Sequence, residues 1–213
     1  VLRTLMSGQL LSGFGVGVVF SIGALLAEKL SGTPAWSGAA ATFSTLGTAF
    51  WAFPLARLAA QRGRRIALVT GSSIAVTGAL AAILAGVTGW FPLLLIAFFG
   101  LGASSAISLQ ARFAATDLPS IRSSGRDLAL VVWGTTIGAV IGPNLFEPGE
   151  IVGAWLGLPH LTGPFVITIC AQVAGSTAFL IGLRPDPLLT ARSLDATKTG
   201  ERRNHQAPIH AIG

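Results

Sequence analysis

The polar side chains that could do chemistry deep inside the apolar stretches of this chain are few and uncharged: Gln9, Ser104, Ser105, Ser108, Thr135, Thr136, Asn144, Thr168 and Gln172. Each reads first as a hydrogen bond between helices and second as a contact to a substrate. No Asp, Glu, Lys or Arg lies deep in those stretches, where such residues mark proton relays and coupling sites. Phosphate loops fail too, because Gly13-Phe14-Gly15-Val16-Gly17 and Gly100-Leu101-Gly102 sit within apolar runs instead of between a strand and a helix. Cys170 is the one cysteine, so no disulfide framework and no metal-ligand spacing exists. No cofactor, no metal and no catalytic residue is expected.

The elements that must position these residues follow from composition. Of 213 residues, 52% are hydrophobic and 10% charged, against about 25% charged in a soluble domain. Eight of the charged residues follow Leu183. A water-soluble surface cannot be built from the remainder, so soluble enzyme, disordered chain and secreted disulfide scaffold are excluded. Windows free of Asp, Glu, Lys and Arg run over 4–27, 30–56, 66–111, 128–146 and 151–183. A membrane helix needs about 20 such residues, and Gly86-Val87-Thr88-Gly89-Trp90-Phe91-Pro92 divides the longest window in two. The expected fold class is an all-α membrane protein with six transmembrane helices, near 5–27, 35–57, 65–87, 91–112, 127–146 and 163–183. They form one bundle over 1–184. Two three-helix units of similar length permit an inverted repeat. The polar segment 185–213 reads as a disordered cytoplasmic tail or linker. The first span is too long for a signal-peptide core.

Cytoplasmic loops collect Lys and Arg. Every basic residue except Lys29 falls on one side of this arrangement, which puts both termini in the cytoplasm and the protein in the plasma (inner) membrane. Trp36, Trp90 and Trp155 fall at the opposite face, as an aromatic belt would. The +6 charge is explained by this loop bias, with no nucleic-acid partner.

A six-span serine protease is the rival enzyme class, since Gly102-Ala103-Ser104-Ser105 loosely resembles the nucleophile motif of the rhomboid family. That chemistry needs a His beside the Ser. His160 lies where the sixth span begins, and Ser104 is about 13 residues inward along the fourth, roughly 20 Å away in depth. His205 and His210 fall in the tail. The chain is not expected to be an enzyme.

Small residues recur every four positions, which lets membrane helices approach closely: Gly13, Gly17 and Ser21 in the first span, Gly71, Ala75 and Ala79 in the third, and Gly134, Gly138 and Gly142 in the fifth. The fifth-span ridge ends in Pro143, which removes a backbone bond and kinks a helix.

The loop after the second span reads Ala56-Arg57-Leu58-Ala59-Ala60-Gln61-Arg62-Gly63-Arg64-Arg65. It resembles the signature loop of the major facilitator superfamily, G-x-L-A-D-R-x-G-R-R, at the same place. Leu58, Ala59, Gly63, Arg64 and Arg65 match, and Ala60 stands at the aspartate. Asp117 and Asp127 in the next loop on that side are the carboxylates expected to pair with Arg64 or Arg65. Gly138-Ala139-Val140-Ile141-Gly142-Pro143 is similar to the family's fifth-helix G-x-x-x-G-P motif, associated with antiporter-type exporters. In the fourth span Gly100 and Gly102 fit the family pattern, and Ile96 stands at its arginine.

The resemblance covers about residues 5–183, one half of a family whose members usually have twelve helices. It implies movement of a small solute by alternating access in a secondary transporter, and the fifth-helix motif implies an exporter of the antiporter type. The substrate path would be lined by the first, second, fourth and fifth spans, with Gln9, Ser104, Ser108 and Asn144 as polar lining and Phe98 and Phe99 as an apolar wall. Gly63, Arg64, Arg65, Asp117 and Asp127 would serve the conformational switch, and Gly134, Gly138, Gly142 and Pro143 the sliding of the fifth helix. The partners implied are a small-molecule substrate, the lipid bilayer and a second six-helix half, either a C-terminal half or a second copy. A non-transporting half-transporter or membrane scaffold is the other reading.

Overall fold

Gly63 is the whole connection between the second and third helices, and its φ of 95° is open to glycine but strained for any L side chain. Its N–H closes the preceding helix on Ala59 O at 2.9 Å. In this computed structural model, which describes residues 2–116 and 124–183, all the described regular structure is helical. The helices are α1 (Leu2–Ser31), α2 (Ala39–Arg62), α3 (Arg64–Thr88), α4 (Phe91–Thr116), α5 (Ser124–Asn144), α6 (Phe146–Trp155) and α7 (Gly163–Gly182), with a short 3-10 turn at Pro34–Trp36. Asp117 and the segment 185–213 lie outside the described residues.

Among the described residues, four helices are long and apolar enough to cross a membrane: Ser7–Ser31 of α1, α3, Phe91–Arg112 of α4, and α7. The other two long ones are more dilute. Helix α2 carries Thr42, Ser44, Thr45, Thr48, Trp51 and Pro54, and α5 opens on Arg126 and Asp127. Prolines occupy the first turns of α4 and α7, at Pro92 and Pro164, where a missing N–H breaks no helical bond.

The pairings follow a pattern. Helix α4 lies against α2, α3 and α1, and α1 lies against α5, α7 and α4, while α3 and α7 pack on each other. Exchanging α1 with α4, α2 with α5 and α3 with α7 leaves these six pairings unchanged, while the contact of α2 with α3 has no counterpart of similar extent between α5 and α7.

The crossings repeat the same construction. A methyl group at Gly47 of α2 would fall on the Phe99 carbonyl of α4, and one at Gly102 would lie 2.6 Å from Thr48 N. The Thr48 hydroxyl sits there, 2.8 Å from Ser44 O and 3.0 Å from Gly102 O. Across the bundle, a methyl at Gly138 of α5 would fall on the Leu10 carbonyl of α1 and 2.9 Å from Gly13 Cα. Leu10 precedes Gly13 by three positions, as Phe99 precedes Gly102. Both crossings are therefore backbone against backbone, a spacing only small residues permit.

Buried apolar side chains form two clusters. One joins Val18, Ile22 and Leu26 of α1 to Ala79 and Ala82 of α3, Phe98 and Leu101 of α4, and Phe165 of α7. The other, at the end that bears the arginines, joins Leu68, Ile107, Ala111, Phe179 and Leu183.

Candidate substrate layer and switch loop

Between the two apolar clusters the buried side chains turn polar. Gln9 and Ser12 of α1, Ser72 of α3, Ser104 and Ser108 of α4, and Thr168 and Gln172 of α7 are all under 5% exposed. Counted from the arginine-bearing end of each helix they lie roughly 10–21 Å along the axis, so they form one layer. Two bonds tie it across helices: Gln9 Nε2 donates to Ser108 O at 3.3 Å, and the Ser12 hydroxyl lies 3.5 Å from Gln172 Oε1. Ser104 and Ser108 donate along their own helix, to Leu101 O at 2.7 Å and Ser104 O at 3.3 Å. Gln172 Nε2 and Ser72 Oγ are buried with no hydrogen-bond partner. A buried donor without an acceptor costs about 1–3 kcal/mol, so these two atoms are where the layer could engage a ligand. No charged side chain is among its members.

Of the residues expected to line a path, Gln9, Ser104 and Ser108 are brought together and Asn144 is not. Asn144 is exposed at the end of α5, its amide donating to Val140 O at 3.0 Å. Phe98 is wholly inside the apolar core, whereas Phe99 is half-buried, 5.3 Å from the Phe50 ring and 6.1 Å from Trp51.

The switch loop is anchored by an amide. Arg64 Nη1 donates to Gln110 Oε1 at 2.6 Å, and Gln110 is 3% exposed on α4. Asp127 lies in the first turn of α5; its side chain, like all of Asp117, is outside the described residues. Gln110 was missed in the sequence because it ends an apolar window, two positions before Arg112, with nothing to distinguish it from a helix terminus.

Gly134, Gly138 and Gly142 are all buried on α5, while Pro143 is exposed. The helix stops one residue after the proline. Leu145 N turns back to Gly142 O at 3.1 Å, and α6 begins at Phe146. Helix α6 then packs on the start of α7, where a methyl at Gly149 would lie 2.6 Å from Pro164 Cα.

The sequence profile of the Major Facilitator Superfamily matches residues 5–205. The chain belongs to the major facilitator superfamily. It is similar to the uncharacterised MFS-type transporter YdeG of Bacillus subtilis, with 36% identity over 204 residues, 95% of this chain and 47% of that protein. A second Bacillus subtilis MFS-type transporter, YddS, is 34% identical over 91% of this chain and 44% of its own length. The riboflavin transporter RfnT of Brucella anthropi is 31% identical over 64% of this chain and 34% of that protein. The chain thus spans about half the length, or less, of these relatives.

As a superfamily member the chain is a multi-pass membrane protein of a transporter family, not an enzyme. The end opposite the arginines carries its own small polar network. Lys29 Nζ of α1 donates to His160 O at 3.1 Å, His160 Nε2 lies 3.4 Å from Glu150 Oε2, and Leu161 N donates to Glu150 Oε1 at 2.9 Å. Leu161 holds a φ of 77°, unusual for a branched residue, and Glu150 reaches across from α6 to fasten it. His160 is thus engaged with Glu150, and Ser104 with its own helix.

Proposed function

We propose that this chain is the N-terminal half of an MFS-type secondary transporter that moves a small solute by alternating access. The observation that carries the reading is the uncharged polar layer on α1, α3, α4 and α7, held between two apolar clusters. Transporter sites characteristically lie near the bilayer midplane at the interface of structural repeats, and the exchange pattern of helix neighbours suits a three-plus-three inverted repeat. In this reading six helices span the plasma membrane, both termini are cytoplasmic, and a second six-helix half completes the path. Gln9, Ser104 and Ser108 line the route within the layer, and Asn144, at the far end of α5, stands at its outer mouth. Gly63, Arg64 and Arg65, with Asp117 and Asp127, work the switch. Gly134, Gly138, Gly142 and Pro143 let α5 slide on α1, and the Gly-Pro motif favours export.

A layer of amides and hydroxyls suits a neutral solute with several hydrogen-bonding groups, a class to which riboflavin belongs. The test is flux through the full-length protein in proteoliposomes, with neutral hydrogen-bonding solutes offered against anions and cations. Transport of a neutral solute, abolished by Gln9→Leu at normal membrane abundance, supports the reading. Flux that is indifferent to Gln9→Leu sinks the assignment of the layer.

The deep burial of Gln9, Ser104 and Ser108 favours a second reading, in which the layer only fastens helices and the chain is a non-transporting half or scaffold. In that case Gln9→Leu lowers the unfolding temperature, and no solute is carried.

A further inference from the structure

The polar layer reaches the surface at a groove of about 290 Å³ between α3 and α7, lined by Ser72, Ser73, Val76, Thr77, Val173, Ser176 and Thr177. Its rim is set in an apolar surface: Ile66, Leu80 and Leu84 are exposed on α3, and Leu180 and Ile181 on α7. Ser73, Thr77, Leu80 and Leu84 recur at helical spacing on one face, so the hydroxyls interrupt a stripe built to meet lipid. Ser72 to Thr77 lie roughly 12–20 Å along α3 from Arg64, which is mid-depth in a hydrocarbon core about 30 Å thick.

The hydroxyls are not equivalent. Ser73 donates to Val69 O at 3.0 Å, Thr77 to Ile74 O at 2.8 Å and Thr177 to Val173 O at 2.8 Å. Each has spent its proton within its own helix and offers only lone pairs outward. At the floor, Ser72 Oγ is 1% exposed and unpartnered. The groove is therefore rich in acceptors, keeps the Ser72 hydroxyl uncommitted at its floor and has no charged residue in its lining. Its complement is a neutral group that donates hydrogen bonds, on an apolar body that can reach mid-bilayer.

We propose that this groove is a lateral site for a neutral, hydroxyl-bearing apolar molecule drawn from the bilayer, with Ser72 as its main partner. The site lies between α3 and α7 and does not depend on the transport reading above.

The test uses the full-length protein in lipid nanodiscs, photolabelled with a diazirine-bearing octanol or with the matching diazirine-bearing octane, followed by mass spectrometry of the peptides. The alcohol is expected to label residues 72–77 and 173–177 about fivefold more than the alkane, the ratio one net hydrogen bond supplies. Excess unlabelled octanol competes this away, Ser72→Ala abolishes the preference, and Ser72→Thr keeps it. Equal labelling by the two probes, which is what a groove filled by water or by a partner helix gives, overturns the proposal. So does a preference that survives Ser72→Ala.

Discussion

Arg64 Nη1 lies 2.6 Å from Gln110 Oε1, so the loop between α2 and α3 is fastened to α4 through an acceptor that carries no charge. A hydrogen bond to a charged group contributes about 1.5–3 kcal/mol. Gln110→Leu, which deletes the acceptor, is expected to destabilise the protein by about that amount in denaturant unfolding. Gln110→Glu makes an ion pair of the same geometry. It should stabilise the fastened conformation and slow turnover in a flux assay. Two variants indistinguishable from the parent in both measurements would remove this contact from the switch.

The glycine crossings make a contrasting pair of predictions. Gly138→Ala and Gly102→Ala place a methyl on a neighbouring backbone carbonyl that has no rotamer to escape with. Each should cost about 1–3 kcal/mol, the range for overpacking a filled interior. Gly38 has an ordinary φ of −74° and open space around it, so Gly38→Ala should be neutral or stabilising by up to about 1 kcal/mol. Thermal unfolding of the three variants side by side checks the order.

Gln172 separates binding from packing. Its Oε1 has only a long contact to Ser12, and its Nε2 has none, so Gln172→Leu removes little that holds the fold. Unfolding temperature is expected to stay level or rise. Substrate affinity should fall about tenfold, as for one lost hydrogen bond of about 1.4 kcal/mol. A variant that loses stability and keeps its KM would make Gln172 a packing residue.

At the opposite end, Glu150 holds Leu161 in a left-handed backbone conformation that costs an L residue about 1–2 kcal/mol. Glu150→Ala releases both Leu161 N–H and His160. Faster amide exchange at Leu161 and Thr162, with the glycine crossings unaffected, is the expected result. Unchanged exchange there would show that the turn holds itself.

Much of the fold was legible because a chain in lipid must satisfy its own backbone, and the windows free of charge coincide with long helices. Helix α6 was not. Its carboxylates, Glu147 and Glu150, made the segment after Asn144 read as a loop, whereas Glu147 sits in the first turn of a helix and Glu150 serves the turn before α7. The layer was half legible: Gln9 and Ser108 stand out as amide and hydroxyl in apolar surroundings. Their pairing is set by the way α1 lies on α4, which no spacing within one helix encodes. Gln110 was hidden for the same reason, its meaning depending on an arginine 46 positions away.

The link between Ser12 and Gln172 spans 160 positions, and this has a consequence for how the protein is made. At about 5–20 residues per second, Gln172 is synthesised about 8 to 32 seconds after Ser12. The glycine crossing of α2 with α4 is available well before then, when α1 has received neither α5 nor α7. During biogenesis the first helix is therefore a waiting partner, its polar face turned toward whatever the insertion machinery offers. Variants that weaken that face should show their defect in yield from the ribosome before they show it in the finished protein.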